Sequence, residues 1–306
     1  MRIGLNIGAS EGPDGTVEGL IKMAQDAEAR GFDNLWMANI FGHDAISMLS
    51  MIGLSTEKIG LGTAVTPTYP RHPTALAQQA VTAGAASNGR FSLGIGLSHQ
   101  VVIEGMFGLS YDKPAKHMRE YLSVLSPLLK GETTSFQGEQ YNVKNVTITV
   151  PGAKPVPILV AALGPVMLDL AGQQADGTIT WMTGPKTLES HIIPSIGKGA
   201  EKAGKPTPQI VAGFPAVLTN DVDAAKKEID KTLQIYGMLP SYRAMLDKEG
   251  AEGPSDLAFA GDETQLRAKL QTLRDIGVTD FSAAIVTSDP EAYERTVAFF
   301  ASEAGS

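Results

Sequence analysis

Short runs of branched apolar residues alternate along the chain with longer stretches in which apolar positions recur every three to four residues. The first pattern reads as strand and the second as amphipathic helix. Strands are predicted at 2–7, 34–38, 59–65, 91–96, 158–162, 177–181, 210–218 and 281–286, with a helix after each at 16–30, 44–55, 74–87, 115–130, 165–174, 186–203, 222–236 and 290–302. Such alternation marks βα units wound round a parallel sheet, and eight of them make an α/β fold, a (β/α)₈ TIM barrel.

Two stretches break the rhythm without low-complexity composition, so residues 1–306 read as one barrel domain with decorations. Residues 131–156 alternate about Gly138 and predict a hairpin insertion. Residues 237–276 predict an extra helical segment, in which Asp262 and Gln265 have the spacing of a capping box and Gly277 marks the stop.

Composition narrows the partners. With 43% hydrophobic and 19% charged residues the chain can bury a large core. A net charge of −8 and no basic run argue against nucleic acid. The absence of cysteine removes disulfides, thiolate metal sites and a cysteine nucleophile, and no metal is predicted. No apolar run reaches the ~18 residues of a membrane span or resembles a signal peptide, so no membrane partner and a cytoplasmic location are expected.

Barrel chemistry is built where the strands end at their C-terminal edge. The second strand delivers Asn39-Ile40-Phe41-Gly42-His43-Asp44, in which Asn39 or Asp44 either caps the next helix or faces the site with His43. The third ends in the Pro-rich passage 66–73. The fourth ends Gly94-Ile95-Gly96-Leu97-Ser98-His99, where alternate glycines either serve packing or bare one face to a planar ligand. His99 occupies the third glycine position of a dinucleotide fingerprint, which excludes that motif. After the fifth strand, Ala162-Leu163-Gly164-Pro165 opens a helix with free amides and no nearby carboxylate, either an ordinary helix start or a phosphate seat.

Taken in order, Gly62-Thr63-Ala64-Val65 with Arg71-His72-Pro73, Asn88-Gly89-Arg90-Phe91 running on to Gly96, Pro157 to Ala162 with Gly164-Pro165, Ala171 to Gly177, Tyr242 and Gly261-Asp262 resemble the luciferase-like flavin and deazaflavin family over nearly the whole chain. The resemblance implies an oxidoreductase dependent on coenzyme F420, transferring hydride between the deazaflavin and a carbonyl, imine, activated alkene or secondary alcohol. The alternatives are an FMN-dependent monooxygenase supplied by a separate reductase and a non-catalytic flavin-binding barrel. A homodimer is expected, as is a cis peptide at Ala64–Val65. The ring would lie over Asn39, Ala64, Val65, Thr66, Gly94, Gly96 and Ser98. Its phosphate end would lie at Ala162, Leu163, Gly164 and Pro165, with Met182, Thr183 and Gly184 on the same wall.

The chain departs from the sugar-phosphate dehydrogenases of that family. Their Ser-Asp-His-Phe motif is replaced by Ala38-Asn39-Ile40-Phe41, and their Gly-Glu by Ser98-His99. The family's histidine therefore becomes Ile40 and its acid becomes His99. Of the histidines near strand ends, His99 is the first candidate for proton transfer, with hydrogen bonding to the coenzyme as its other reading. His43 follows, with Asn39 orienting the substrate. His72 and His117 complete the set.

Overall fold

The computed structural model describes residues 1–8 and 15–305. Eight parallel strands form the barrel: β1 (Arg2–Ile7), β2 (Asn34–Met37), β3 (Gly60–Thr63), β4 (Phe91–Gly96), β5 (Ile158–Val160), β6 (Gly177–Trp181), β7 (Gln209–Leu218) and β8 (Asp280–Ile285). Each pairs with the next, and β8 returns to β1 with Arg2 opposite Asp280, so no barrel edge is left unpaired. The predicted TIM barrel is the fold that forms. No helix among the described residues is long and apolar enough to cross a membrane.

Burial follows the sequence pattern. Leu35, Leu61, Phe91, Phe214 and Phe281 are within the main core, and Trp36, Leu159, Ile179 and Val211 form a separate cluster. A side chain on Gly62 would collide with the Trp36 ring, so the large indole and the bare neighbouring strand are complementary. At the N-terminal end of the strands, buried Asp280 gathers Arg2, Asn34, Gln209 and Thr279 at 2.7–3.0 Å. That network joins four strands, β1, β2, β7 and β8, at the face opposite the chemistry.

Three expectations needed correction. The third strand does not run unbroken over 59–65: it stops at Thr63, and Thr66–Pro67 pairs again with β4 after the register has slipped by one residue. A bulge of this kind appears in sequence only as more strand. The helix expected at 186–203 is split into a turn at Pro185–Thr187, a π-helical stretch at Leu188–Ile192 and a helix at Ile193–Lys202. Pro194 lacks the N–H that would continue the α-helical ladder. Finally, 237–276 contains a strand, Phe259–Gly261, beside the end of β7, which three residues cannot signal by alternation.

The decorations have local causes. Thr134–Gln137 and Asn142–Val146 form the hairpin, whose turn is fastened by the Glu120 carboxylate accepting from the amides of Glu139, Gln140 and Tyr141 at 2.8–3.2 Å. The capping box of Asp262 and Gln265 forms in both directions and starts the helix Glu263–Asp275. Two further helices, Val222–Met238 and Pro240–Glu249, supply part of the wall of the cleft at the C-terminal end of the barrel.

Candidate active site

A cleft of about 470 Å³ opens at the C-terminal ends of the strands. The buried cluster of Trp36, Leu159, Ile179 and Val211 supports it from below, and Ala64 and Val65 rest against that cluster. The Ala64–Val65 peptide is cis. Thr63 donates its hydroxyl to the Gly94 carbonyl at 2.7 Å. A Cβ on Gly94 would strike the Thr63 carbonyl, and one on Gly96 would lie 2.7 Å from Val65 Cγ2. The two glycines therefore let the bulged strand lean onto β4, and the result is a side-chain-poor apolar wall along Ala64, Val65 and Gly96.

Beyond Gly96 the backbone turns sharply. Ser98 has φ +61°, an uncommon conformation for a residue with a Cβ, and the turn delivers His99 to the cleft. His99 is half-buried, and that burial holds its imidazole below the ordinary histidine pKa. Among the described residues its nitrogens have no hydrogen-bond partner, and its ring lies 5.9 Å from that of Tyr242. Tyr242 in turn meets Tyr236 edge-on at 5.2 Å, and Tyr236 meets Trp181 at 6.2 Å. Burial, then the neighbouring Tyr236, raises the Tyr242 hydroxyl pKa above its ordinary value.

Another part of the wall is set by Leu163, Gly164 and Met167. The helix Pro165–Gln174 starts at Gly164 without any side-chain cap, and a Cβ on Gly164 would point into open space. His191, from the π-helical stretch, donates Nε2–H to the Leu163 carbonyl at 2.8 Å and fixes this corner. The start of that helix thus has free amide donors and no carboxylate filling them. None of the described residues lining the cleft is Asp, Glu, Lys or Arg.

The structure thus brings Ala64, Val65, Gly96, Ser98, His99, Leu163 and Gly164 together around one space. Other predicted positions do not line it. Asn39 Oδ1 accepts from the Ala45 amide at 3.1 Å and from Arg71 at 3.4 Å, while Arg71 pairs with the helix-capping Asp44 at 2.7 Å, so Asn39 takes the capping alternative. His43 donates to the Gly15 carbonyl at 2.9 Å. Gly94 is covered by Thr63, and Thr66 and Ala162 are buried. Pro165 faces an outer groove with Arg119 and Asp169. Met182, with φ +47°, packs among Ile229 and Leu246. Thr183 is buried, and Gly184 is backed by Glu249, whose carboxylate already caps the amides of Lys186 and Thr187. An anion beside Gly184 would meet negative charge rather than free donors. His72 caps its helix through the Thr74 amide, and His117 is buried between Thr68 and Gln140.

Sequence reasoning missed Asn6 and Thr180 in the cleft, and Thr232, Leu233 and Tyr236 on its wall. Asn6 had a readable signal, as a polar position in the otherwise apolar run 3–7. The wall had none, because only tertiary packing carries Val222–Met238 to the barrel mouth.

Comparison with known proteins agrees with this architecture. A family model described as luciferase-like monooxygenase matches residues 1–302. The chain is 28% identical over 300 residues to a 5,10-methylenetetrahydromethanopterin reductase of Methanolobus tindarius, covering 89% of this chain and 91% of the relative. It is 30% identical over 259 residues to an F420-dependent glucose-6-phosphate dehydrogenase of Nakamurella multipartita, covering 80% and 75%. Among solved structures, an F420-dependent secondary alcohol dehydrogenase in complex with an F420-acetone adduct superposes with a TM-score of 0.82 at 18% identity, covering 98% of this chain and 97% of that one.

Proposed function

This chain belongs to the luciferase-like monooxygenase family and is an oxidoreductase, and from that premise we propose that it uses the deazaflavin coenzyme F420 on a small organic substrate. The observation that carries the reading is the flat apolar wall of Ala64, Val65 and Gly96, with His99 and the uncapped helix start at Gly164 in the same cleft. These residues fit a planar ring with an anionic tail. Ala64, Val65 and Gly96 would back the ring, and Leu163 and Gly164 would hold the tail's phosphate. When bound, the deazaflavin supplies hydride transfer without oxygen activation, because carbon stands where a flavin has N5.

His99 would hold the proton that accompanies hydride transfer. Its neutral ring can accept a proton from a substrate hydroxyl through one nitrogen and return it when the reaction runs the other way. The aromatic wall of Tyr236 and Tyr242 would limit water beside His99.

Binding titrations with F420 and with FMN test the proposal directly. Saturable binding of F420 at micromolar concentration, with FMN about tenfold weaker or more, is expected. Preference for FMN would replace the reading with a flavin monooxygenase, and binding of neither would leave a barrel without this cofactor.

A further inference from the structure

We propose that the substrate selected by this cleft is an uncharged, largely hydrocarbon molecule, and that phosphate esters and carboxylates are excluded. The inference deepens the function proposed above and rests on it for the cofactor.

Solvation drives the selection. An ionised group taken out of water needs a partner charge or several donors to replace its hydration. The cleft has no charged side chain among its described residues, and its titratable groups are His99 and the three tyrosines Tyr111, Tyr236 and Tyr242. His99 is half-buried and carries no charge near neutral pH. Tyr111 spends its hydroxyl on the Ser98 carbonyl at 3.3 Å. A bound anion would find no counterion among the described residues on the substrate side.

The approach to the cleft points the same way. A groove of about 750 Å³ adjoins it and shares Ser98, His99, Tyr111 and Ser241 with it. The acidic side chain among its described lining is Glu104, whose carboxyl group is held by the Gln100 amide at 2.8 Å and the Tyr111 backbone at 3.2 Å. An anion entering through this groove would meet a negative charge. Ile40, at 56% exposure, lines the cleft and is followed by Phe41, 64% exposed, which meets Phe107 edge-on at 6.2 Å. Large apolar side chains left in water beside a cavity suit an apolar visitor.

The chain contains two tryptophans, of which Trp36 is buried and Trp181 lines the cleft, so tryptophan fluorescence reports occupancy without turnover. The full-length protein, with and without F420, is titrated with 2-heptanone, heptanoate and glucose 6-phosphate, and cofactor binding is followed separately by F420 fluorescence. Saturable quenching by 2-heptanone is expected, with the two anions weaker by about tenfold or more. Placing a cation in the wall by Ile40→Arg or, at an exposed helix position, Thr232→Arg is expected to bring heptanoate to or above the affinity of 2-heptanone. Circular dichroism verifies the fold, and either variant suffices if the other does not fold. Equal or tighter binding of either anion by the unmodified protein with F420 bound, so that the donors at Gly164 are already filled, overturns the inference, as does no response to 2-heptanone up to its solubility. Failure of F420 to bind, with the preference for the ketone retained, overturns the cofactor reading and leaves the charge selectivity standing.

Discussion

His99 and His117 are two histidines of one barrel placed for opposite purposes. Among the described residues His99 reaches a cleft with its nitrogens unengaged, whereas both nitrogens of His117 are occupied, Nε2 by Thr68 at 2.9 Å and Nδ1 by Gln140 at 3.1 Å, beneath a stacked Tyr69 ring. If His99 handles the substrate proton, His99→Ala lowers kcat by about 10²-fold with F420 affinity nearly unchanged. The acid limb of the wild-type rate profile then lies below pH 6.5, because burial depresses this imidazole, and it disappears in the variant. A loss confined to cofactor binding would place His99 in the binding shell instead. For His117 the readout is stability. Burial lowers its pKa from 6.5 to about 4 in the folded chain, so between those values the unfolded state binds more protons. Its contribution is complete above pH 6.5, is lost as pH falls through 4, and levels off only well below that. Urea unfolding of wild type and His117→Leu at pH 7 and pH 4 is expected to show the wild type's advantage shrinking by on the order of 3 kcal/mol; an unchanged difference would contradict the assignment.

Two helix starts near the barrel mouth differ in what occupies their donors. The turn beginning at Pro185 has the Glu249 carboxylate on the amides of Lys186 and Thr187, while the helix Pro165–Gln174 begins with no side-chain cap. Sequence alone makes both look open, since Gly-Pro precedes each and Glu249 lies far along the chain. The contrast predicts that Gly164→Asp, which meets no steric obstacle, raises thermal stability slightly by capping the helix. The same change is expected to weaken F420 by about 10²-fold or more, because like charges ~4 Å apart at an effective dielectric of 20 repel by about 4 kcal/mol before screening. A deazaflavin lacking the phosphate tail should bind wild type and variant alike. Equal loss for both ligands would move the phosphate elsewhere.

Across the whole molecule, stability and chemistry occupy opposite ends of the barrel. Asp280→Ala removes the acceptor shared by Arg2, Asn34 and Gln209, and chemical denaturation is expected to show a loss of about 3 kcal/mol while F420 affinity in the folded variant is retained. A change in affinity without one in stability would show the two ends to be coupled. The chain's periodicity determined the eight strands, their order and the barrel, because each strand or helix declares its buried face within a few turns of its own sequence. It also put Gly94, Gly96 and His99 at the rim after β4, since residues at a strand end share one rim whatever the loops do, while the preference for His99 over the other histidines came from the family resemblance. Tertiary structure alone decided that Asn39 and His43 serve the loops and that Glu249 fills the second helix start. It alone brought Thr232, Tyr236 and Tyr242 into the cleft that His99 lines. Those outcomes depend on which of several polar partners comes within about 3 Å, a distance set by how distant segments pack and not by any local pattern.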